Sequence, residues 1–467
     1  MNRIVRHADV RLKFLSAIFL SFAAVLAVTA GFAQAAARAQ GKPAGELPRK
    51  GFAGVQVGPV PEEVRARLKL AAAQGLLVSR VDAGSAAAEA GLAEGDVILE
   101  AAGKPVGSAQ EYVAAVQRLY AGDKLPLTVL REGRRLSPTL TLKPRPFESR
   151  PDLDVLYRSV ETAAGRRRVI VTKPKGQGRF PAVLMVGGIG CYSLDGLNPE
   201  GAYGRILYGL TLKGFATMRV EKTGMGDSEG PPCQSPQADL RQEVAGYVAG
   251  LRALKSYDFV DPARVFIFGH SIGGIVGPLV ASEEPVRGLV AAETIGTDWF
   301  EYELANFRRQ TLLAKTPYDE LERRARQARA CKQRMLVGKE SPEQILKDAP
   351  TCSEYLEAPA PYTYMQQLAD LNLAEVWKKA DAPVLIIYGT SDFLTSAAEH
   401  EYLRDMINSF RPGTAAYVQI EGMGHGFERV ASQREYFESR GGDARPEFNA
   451  QVFDEVARWL TAAAGTR

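Results

Sequence analysis

The stretch Gly269-His270-Ser271-Ile272-Gly273-Gly274 decides the fold of this 467-residue chain. It follows the apolar run Arg264 to Phe268 and precedes the apolar run Ile275 to Val280, which indicates a strand, a sharp turn and a helix. Glycines on both sides of the serine allow a tight turn without a Cβ clash. The pattern predicts that Ser271 is exposed at the end of a strand, where its hydroxyl can act as a nucleophile.

A serine hydroxyl needs a neighbouring base to become nucleophilic at neutral pH. The four histidines of the chain are the candidates. His7 precedes the folded part, His270 neighbours the serine along the chain and points away from it, and His400 begins a predicted helix. His425 lies in a glycine-rich loop after a strand predicted at Ala415 to Ile420. We expect His425 to be the base; the alternative is a surface or capping histidine.

The acid that orients this base is expected between the serine and the histidine along the chain. Pro383 to Tyr388 is fully apolar, as is typical of a buried parallel strand, and Asp392 follows it. Open α/β sheets place their sites at this carboxyl edge of the strands. The alternative role for Asp392 is a turn or an N-cap. The order Ser271, Asp392, His425 predicts a catalytic triad.

Residues from about 153 to the C-terminus resemble an α/β-hydrolase, in which nucleophile, acid and base follow one another in this order. Pro181 to Gly190 resembles the strand and oxyanion loop of that family, with Gly187 where relatives often have a histidine. The glycine-rich segment Gly224 to Gly230 resembles the turn after the next strand. The donors of an oxyanion hole are backbone N–H groups, and the resemblance implies that Ile189 and Ile272 supply them.

The resemblance implies an α/β fold with an eight-stranded, mostly parallel sheet and a helical cap insertion at about 298–378. We expect most aromatic side chains of the cap to form its own core. Strands are expected near 155–161, 167–173, 181–187, 215–221, 264–269, 288–294, 383–388 and 415–420. Helices are expected near 201–213, 237–255, 272–283, 396–409 and 448–463.

The first residues have the pattern of a signal peptide, predicted at 1–35. A basic segment precedes the apolar run Phe14 to Phe32, and Ala33-Gln34-Ala35 fits a cleavage site. The prediction is a cleaved signal and export to the periplasm. The alternative is an uncleaved anchor, because the run is long enough to span a bilayer. Membrane contact is expected only in that second case.

Charge argues against nucleic acid as a partner. The chain has 58 basic and 54 acidic residues, but residues 1–35 hold four of the basic ones and one of the acidic ones. The remainder is close to neutral, so the basic balance belongs mainly to the signal segment. No spacing of metal ligands is present, and the predicted mechanism needs no cofactor.

Four cysteines in an exported protein predict disulfides. Cys331 and Cys352 both lie in the predicted cap. Cys191 follows the oxyanion loop and Cys233 follows the next glycine-rich turn, and adjacent parallel strands bring those two loops to one edge of the sheet. We therefore expect the pairs Cys191–Cys233 and Cys331–Cys352.

Residues 51–145 are predicted to form a separate domain, between a linker at 36–50 and prolines that end a sheet ladder. The small-residue block Gly84 to Leu92, followed by Gly95-Asp96, resembles a PDZ domain of the bacterial, protease-associated type. Such domains bind an extended peptide C-terminus by strand addition. The resemblance implies a groove between the strand Phe52 to Val57 and the helix Ser108 to Tyr120.

In that groove the N–H groups near Phe52, Ala53 and Gly54 would hold the peptide carboxylate. The alternative is an empty groove in a domain that serves as a spacer.

Three functions remain open from the sequence. The first is an exported serine hydrolase that cleaves a carboxylic ester or thioester through an acyl-enzyme. The second is a serine peptidase whose PDZ domain recruits peptide or protein C-termini, with Glu301 and Glu303 as candidates to bind a free amine. The third is a PDZ-based binding protein with an inactive hydrolase domain. Fold resemblance alone does not choose among them.

Overall fold

The computed structural model describes residues 47–71, 74–116, 118–439 and 446–465. The predicted signal peptide at 1–35 and most of the predicted linker at 36–50 lie outside the described residues. In the part of the chain that is described, no helix is both long enough and apolar enough to span a bilayer.

The N-terminal β domain comprises residues 51–144. Its strands are β1 (Gly51–Phe52), β2 (Val55–Pro59), β3 (Leu76–Val81), β4 (Val97–Ala101), β5 (Lys104–Pro105), β6 (Lys124–Arg131), β7 (Arg134–Leu136), β8 (Thr139–Thr141) and β9 (Lys143–Pro144), and its helices are α1 (Glu62–Leu68), α2 (Ala86–Glu89) and α3 (Ala109–Val116). The sheet is antiparallel with the order β2-β3-β4-β6-β7, and β1 pairs with β9. This β-rich architecture is the one expected for the segment.

The short helix α2 explains why its residues are small. The Ser85 hydroxyl caps it by accepting a hydrogen bond from the Ala88 N–H at 3.2 Å. Ala86 and Ala87 are buried, and the Ala87 N–H donates to the Ala53 carbonyl at 2.9 Å. Larger side chains would push the helix away from the backbone at Ala53.

The larger domain comprises residues 153–465. Its strands are β10 (Leu153–Val160), β11 (Arg167–Pro174), β12 (Phe180–Val186), β13 (Ala216–Val220), β14 (Val260–His270), β15 (Gly288–Ala292), β16 (Val384–Gly389) and β17 (Ala415–Ile420). Its helices are α4 (Ala202–Leu212), α5 (Leu240–Ser256), α6 (Gly273–Glu283), α7 (Trp299–Leu313), α8 (Tyr318–Lys332), α9 (Pro342–Asp348), α10 (Ser353–Leu356), α11 (Tyr362–Ala369), α12 (Leu373–Ala380), α13 (Ala397–Phe410), α14 (Gln433–Glu438) and α15 (Ala450–Gly465).

The sheet of this domain has eight strands in the order β10-β11-β13-β12-β14-β15-β16-β17. The β10–β11 and β11–β13 pairs are antiparallel, and the remaining pairs are parallel. The predicted eight-stranded, mostly parallel sheet is confirmed. Because β13 and β14 lie on opposite sides of β12, the loops that follow β12 and β14 diverge and leave a crevice at the carboxyl ends of the strands.

Helices cover both faces of the sheet, which explains the continuous apolar strands. On β15, Leu289 and Ala291 pack in the core beneath α5 and α6, whereas Val290 and Ala292 pack beneath α4 and α15. All residues of β15 and β16 are buried. A strand buried on both faces needs no polar alternation, so its sequence is apolar throughout.

A helical insertion, residues 299–380, interrupts the alternation between β15 and β16. It contains α7 to α12, one turn of π-helix at Gln333–Val337 and a 3-10 turn at Pro350–Cys352. A disulfide joins Cys331 at the end of α8 to Cys352. Its buried aromatic side chains, among them Tyr355, Tyr364 and Trp377, belong to the same apolar cluster as one face of the sheet and the helices α5 and α6. The expected separate core of the cap is therefore continuous with the core of the sheet.

The last residues of the predicted linker are packed against the larger domain. Leu47 and Arg49 are buried, because Arg49 forms ion pairs with Asp195 at 2.7 Å and Asp227 at 2.6 Å in the larger domain. Its guanidinium also lies over the Phe147 ring, 4.5 Å from the centroid. The chain that enters the β domain is therefore fixed to the larger domain.

The chain that leaves the β domain is fixed as well. Glu148 accepts hydrogen bonds from both terminal nitrogens of Arg219, at 2.7 and 2.8 Å. It also accepts from the Tyr208 hydroxyl at 2.9 Å and from the Gly196 N–H at 2.7 Å. Paired, hydrogen-bonded charges of this kind are costly to break when buried, so both connections hold the β domain in place.

Candidate active site

Ser271 lies on a strained turn between β14 and α6. Its φ angle is +57°, in the left-handed region that non-glycine residues rarely adopt, and its N–H donates to the Ala292 carbonyl at 2.9 Å. A Cβ atom at Gly269 would lie 2.3 Å from the Gly273 carbonyl oxygen, and one at Gly273 would lie 2.1 Å from the Val186 carbonyl oxygen. Both glycines are therefore required by close backbone contact, and the turn presents the serine at the strand end.

The structure brings Ser271, His425 and Asp392 together. The His425 Nε2 atom lies 2.9 Å from the Ser271 Oγ atom, and its Nδ1 atom lies 2.9 Å from an Asp392 carboxylate oxygen. Asp392 is fully buried and also accepts hydrogen bonds from the Leu394 N–H, at 2.7 Å, and from the Thr395 hydroxyl. These contacts give the imidazole one orientation, with Nε2 toward the serine.

Burial and charge oppose each other at the histidine and the aspartate. Burial acts to lower the pKa of His425, but the Asp392 carboxylate and its hydrogen bond raise it above the ordinary value of 6.5. Burial acts to raise the pKa of Asp392, but His425 and the hydrogen bonds lower it below the ordinary value. Asp392 is therefore ionised at neutral pH, and it favours the imidazolium form of His425.

The other described histidines are buried and neutral. His400 accepts a hydrogen bond from the Thr294 N–H at 3.0 Å, and burial lowers its pKa to about 4. His270 lies with Nδ1 2.7 Å from the Tyr203 hydroxyl and Nε2 2.8 Å from the His425 carbonyl. Because a carbonyl only accepts, Nε2 of His270 carries the proton, and burial lowers the pKa of this ring to about 3.

His270 thus connects two sides of the crevice. The Tyr203 hydroxyl, which bonds to His270, also accepts a hydrogen bond from the Gly188 N–H at 3.2 Å. The path runs from the loop after β12 through Tyr203 and His270 to the backbone of His425. His270 points away from the serine, as expected from its place in the turn, but nothing in the sequence indicates its contact with the His425 backbone.

The loop after β12 is held by polar contacts on one carbonyl. The Gly188 C=O accepts hydrogen bonds from the Lys222 ammonium at 2.8 Å and from the Tyr192 hydroxyl at 2.9 Å. The Gly188 carbonyl and the Ile189 N–H belong to the same peptide group, and no peptide bond in the described residues is cis. In a trans peptide group the N–H points in the direction opposite to the carbonyl. The Gly188 N–H is already bonded to Tyr203, which leaves the next N–H along the chain for another acceptor.

The glycine at position 187 also has a physical reason. A Cβ atom there would lie 2.3 Å from the Tyr192 hydroxyl oxygen, so any larger residue would displace this hydroxyl from the Gly188 carbonyl that it contacts. Ile189 and Ile272, the two predicted oxyanion donors, both line the cavity beside Ser271. Their role as donors stays a prediction.

A cavity of about 670 Å³ opens above Ser271. Its volume lies in the range of small-molecule sites. The helical insertion supplies one wall, and the residues from it that line the cavity are Trp299, Tyr302, Glu303, Asn306, Gln310, Glu357 and Pro359. Glu303 forms an ion pair with the buried Lys332 at 2.8 Å, whereas Glu301 lines a different depression.

Glu293, which directly follows β15, is a further acid in this cavity that was not predicted from the sequence. Glu293 is fully buried. One of its carboxyl oxygens, one Asp392 carboxylate oxygen and one ring nitrogen of His425 all lie within 4.8 Å of one another. The available signal was its position: like Asp392, it is an acidic residue placed where an apolar strand ends.

A disulfide between Cys191 and Cys233 joins the loop after β12 to the loop after β13. The two disulfides in the described residues are the two pairs expected from sequence. Beside the first, buried Glu221 accepts hydrogen bonds from the Ser193 hydroxyl at 2.6 Å and from the Leu194 N–H at 2.9 Å. Burial raises the pKa of Glu221 to about 7.

The residues predicted to hold a peptide carboxylate lie together in the β domain. Phe52 is in β1, opposite Lys143 of β9, and Ala53 is buried. Gly54 has a φ angle of +77°, and its carbonyl accepts from the Asp82 N–H at 2.9 Å. Carboxylate binding at this turn remains a prediction.

Comparison with known families and proteins gives two results. Residues 183–437 match the Alpha/beta hydrolase family, and residues 77–131 match the PDZ domain family. Esterase EstD of Thermotoga maritima is 25% identical over 303 residues, which cover 62% of this chain and 64% of EstD. The periplasmic serine endoprotease DegP of Salmonella typhimurium is 32% identical over 115 residues, which cover 25% of this chain and 24% of DegP.

Among solved structures, Est1E from Butyrivibrio proteoclasticus is 14% identical, with a TM-score of 0.41 and coverage of 67% of this chain and 99% of Est1E. Acetyl xylan esterase from Paenibacillus sp. R4 is 13% identical, with a TM-score of 0.42 and coverage of 67% of this chain and 84% of the esterase. The chain thus spans less than two thirds of EstD and about a quarter of DegP.

Proposed function

Because this chain belongs to the alpha/beta hydrolase family, we propose that it is an exported serine hydrolase that cleaves carboxylic esters or thioesters. The observation that carries the proposal is the continuous hydrogen-bonded series from Ser271 through His425 to Asp392, with a 2.9 Å contact at each end of the imidazole. A serine in contact with a base that a buried carboxylate orients is the arrangement that acyl transfer requires.

In the proposed first step, the Ser271 Oγ atom forms a bond to the substrate carbonyl carbon while His425 takes the hydroxyl proton on Nε2. The resulting imidazolium is stabilised by Asp392 through Nδ1. Collapse of the tetrahedral intermediate breaks the bond to the leaving alcohol or thiol, which receives the proton from His425. A water molecule, deprotonated by the same histidine, then attacks the acyl carbon. The bond to the Ser271 Oγ atom breaks, this oxygen takes the proton back from His425, and the carboxylic acid is released.

The negative oxygen of the intermediate needs donors that are already in place. The N–H groups of Ile189 and Ile272 are our proposed pair. Two observations support the choice of Ile189: the Gly188 N–H is occupied by Tyr203, and the Gly188 carbonyl is held from the other side by Lys222. Donors fixed before the reaction need no reorganisation when the charge develops.

The test is hydrolysis by the purified protein without residues 1–35 of two matched panels, p-nitrophenyl acyl esters and aminoacyl or peptidyl p-nitroanilides. Ser271→Ala serves as the control for both. Ester cleavage that Ser271→Ala abolishes, without anilide cleavage, supports the proposal, and the preferred acyl length reports the depth of the cavity. Absence of ester cleavage at every chain length would contradict it.

A serine peptidase is the second candidate, and the similarity of the β domain to DegP is the observation that favours it. In this version the PDZ domain recruits peptide or protein C-termini. Against recognition of a free amine, Glu303 is already paired with Lys332, and Glu301 lies outside the cavity beside Ser271. Anilide cleavage that depends on Ser271 would establish this candidate instead.

Export is part of the proposal. The signal pattern at 1–35, the two disulfides and the periplasmic location named for DegP support it. Fractionation of cells that express the full chain tests it: processed protein in the periplasm is expected, and unprocessed protein in the cytoplasm would contradict it.

The remaining candidate, a PDZ-based binding protein with an inactive hydrolase domain, is tested separately. A fluorophosphonate probe should label the wild-type protein and not Ser271→Ala. An unlabelled wild-type protein that still binds a C-terminal peptide would establish this third function.

A further inference from the structure

Glu293 occupies a position that the proposed triad does not explain. It directly follows β15, its φ angle is +51°, and its side chain lines the cavity that contains Ser271 and His425. Left-handed backbone at a non-glycine residue costs free energy and persists only where surrounding contacts fix it. Here the N–H of Glu293 donates to the Ile387 carbonyl at 2.9 Å. The strained backbone therefore holds this carboxyl group at one place beside the triad.

The carboxyl group of Glu293 has no ordinary donor. Its side chain is fully buried, and neither oxygen makes a hydrogen bond of ordinary geometry within the described residues. The Gly389 backbone is the polar group that favours its charged form. Atoms of Asp392 and His425 lie within 4.8 Å of it. Asp392, in contrast, accepts from three donors: His425, the Thr395 hydroxyl and the Leu394 N–H. A buried carboxylate without donors is strongly unfavourable, whereas a protonated carboxyl group can donate to its neighbour.

The charges around Glu293 also oppose its ionisation. Burial raises the pKa of Glu293 well above the ordinary value, and the neighbouring Asp392 and Glu428 carboxylates raise it further. The Gly389 backbone acts in the opposite direction and does not offset these effects. Tyr388 and Tyr417 also face Glu293, and both phenols stay neutral because burial raises the pKa of each, that of Tyr417 to about 12.

We propose that Glu293 carries a proton at neutral pH and donates it in a hydrogen bond to Asp392, which makes Glu293 a positioning residue for the triad. The inference rests on the proposed function of Ser271, Asp392 and His425. Two adjacent buried carboxyl groups cannot both ionise at low cost, and the one with three other donors keeps the negative charge.

The consequence concerns the strength of the base. His425 faces one negative charge from this pair and not two. A second charge would stabilise the imidazolium further, and His425 would remain protonated at pH values where it must accept a proton from Ser271. The shared proton therefore limits how far the acid raises the pKa of the histidine.

Glu293→Gln tests the protonation state directly, because the amide is neutral, has the same shape and donates. If Glu293 is protonated, the apparent pKa of the acid limb of the kcat/KM profile should stay within about 0.3 pH units of the wild-type value, and kcat should fall only a few-fold. If Glu293 is ionised, the substitution removes a negative charge next to His425, and the apparent pKa of the acid limb should fall by about one pH unit or more. The second result would overturn the proposal.

Glu293→Leu removes the donor and keeps an apolar side chain of similar volume. Asp392 then has one donor fewer and a more localised charge. The apparent pKa of the acid limb should therefore rise, and kcat should fall by about tenfold. Identical pH profiles for Glu293→Gln and Glu293→Leu would reduce the role of Glu293 to packing and overturn the proposal. Melting temperatures of both variants establish that they fold.

Two readouts that do not need a substrate separate this inference from the proposed function. Imidazole NMR should give the same His425 titration in wild type and Glu293→Gln, and a raised pKa in Glu293→Leu. An infrared carbonyl band of a protonated carboxyl group should disappear in Glu293→Gln. If both hold in a protein that cleaves no ester, the inference survives and the proposed function fails. A change in wild-type activity on dialysis against EDTA would overturn the inference, because a cation would then neutralise the pair.

Discussion

Arg49, which precedes the β domain, forms a buried ion pair with Asp195, which belongs to the loop after β12, with 2.7 Å between the guanidinium nitrogen and the carboxylate oxygen. The same nitrogen lies 2.6 Å from Asp227 in the loop after β13. One side chain from outside the larger domain thus pairs with two of its buried acids, and Arg168 supplies a second cation to Asp227. Both acids belong to loops that the Cys191–Cys233 disulfide also joins.

Arg49→Met should destabilise the protein by about 3–5 kcal/mol, because it leaves Asp195 and Asp227 buried with one cation fewer. Urea unfolding at neutral pH measures the loss. The matched control is Arg323→Met, which breaks an exposed pair with Glu320 and should cost less than about 1 kcal/mol. Equal effects of the two substitutions would contradict the buried network.

Lys222→Met should lower kcat on the order of ten- to a hundredfold with little change in KM. The ammonium group holds the Gly188 carbonyl, and without it the peptide that carries the proposed Ile189 donor is free to rotate. Tyr192→Phe, which removes a neutral donor from the same carbonyl, should have a smaller effect. Lys255→Met, which breaks an ion pair with Glu284 elsewhere, is the control for charge loss. A rise in KM alone would argue against the orienting role.

Glu221→Gln should change how stability depends on pH. Burial raises the pKa of Glu221 from its ordinary value of 4.5 to about 7, so the folded state binds this proton more tightly than the unfolded state. Its contribution is fully present below pH 4.5 and is lost as the pH rises through about 7. The amide cannot ionise, so the variant should lose less stability than wild type between pH 5 and pH 8.

Urea midpoints at pH 5, 6, 7 and 8 give that comparison. Glu343→Gln, at a highly exposed position, is the control and should follow the wild-type curve. A Glu221→Gln curve parallel to wild type over the whole range would mean that Glu221 does not titrate there.

The two disulfides should differ in function more than in stability. Cys191 and Cys233 are separated by 42 residues and Cys331 and Cys352 by 21, so the loop-closure argument gives about 4 and about 3 kcal/mol. Replacing the first pair with serine should also lower kcat, because it releases the loop that carries Ile189. Replacing the second pair should lower the melting temperature mainly. Equal kcat values in the two double variants would contradict this division.

The sheet and the grouping of Ser271, Asp392 and His425 could be predicted from sequence because their signals are local. An apolar strand followed by a glycine-flanked serine, or by Asp392 or His425, places each side chain at the carboxyl edge without knowledge of any distant contact. Predicted strands and helices of the larger domain agree with the structure to within a few residues, for example 415–420 for β17 and 272–283 for α6. In the β domain, the predicted strand Phe52 to Val57 is instead divided between β1 and β2, because the chain turns at Gly54.

The supporting residues could not be predicted because their partners are far away along the chain. Arg49 lies in a segment whose composition is typical of a linker, yet its partners follow 146 and 178 residues later. His270 meets Tyr203, 67 residues before it, and the Gly188 carbonyl meets Lys222, 34 residues after it. These contacts arise only when distant parts of the chain pack together, so no periodicity or motif in the sequence indicates them.

The two fixed connections of the β domain bear on how such a protein can evolve. A chain cut at residue 150 would lose both Arg49 and Glu148. Asp195 and Arg219 would then lack their ion-pair partners in the interior, and Asp227 would keep only Arg168. Neither domain can therefore be exchanged independently by recombination at the boundary, since each exchange would remove charged partners of the buried residues in the other domain. The two domains should be inherited together, and a ligand that bound to the β domain would stabilise the hydrolase domain as well.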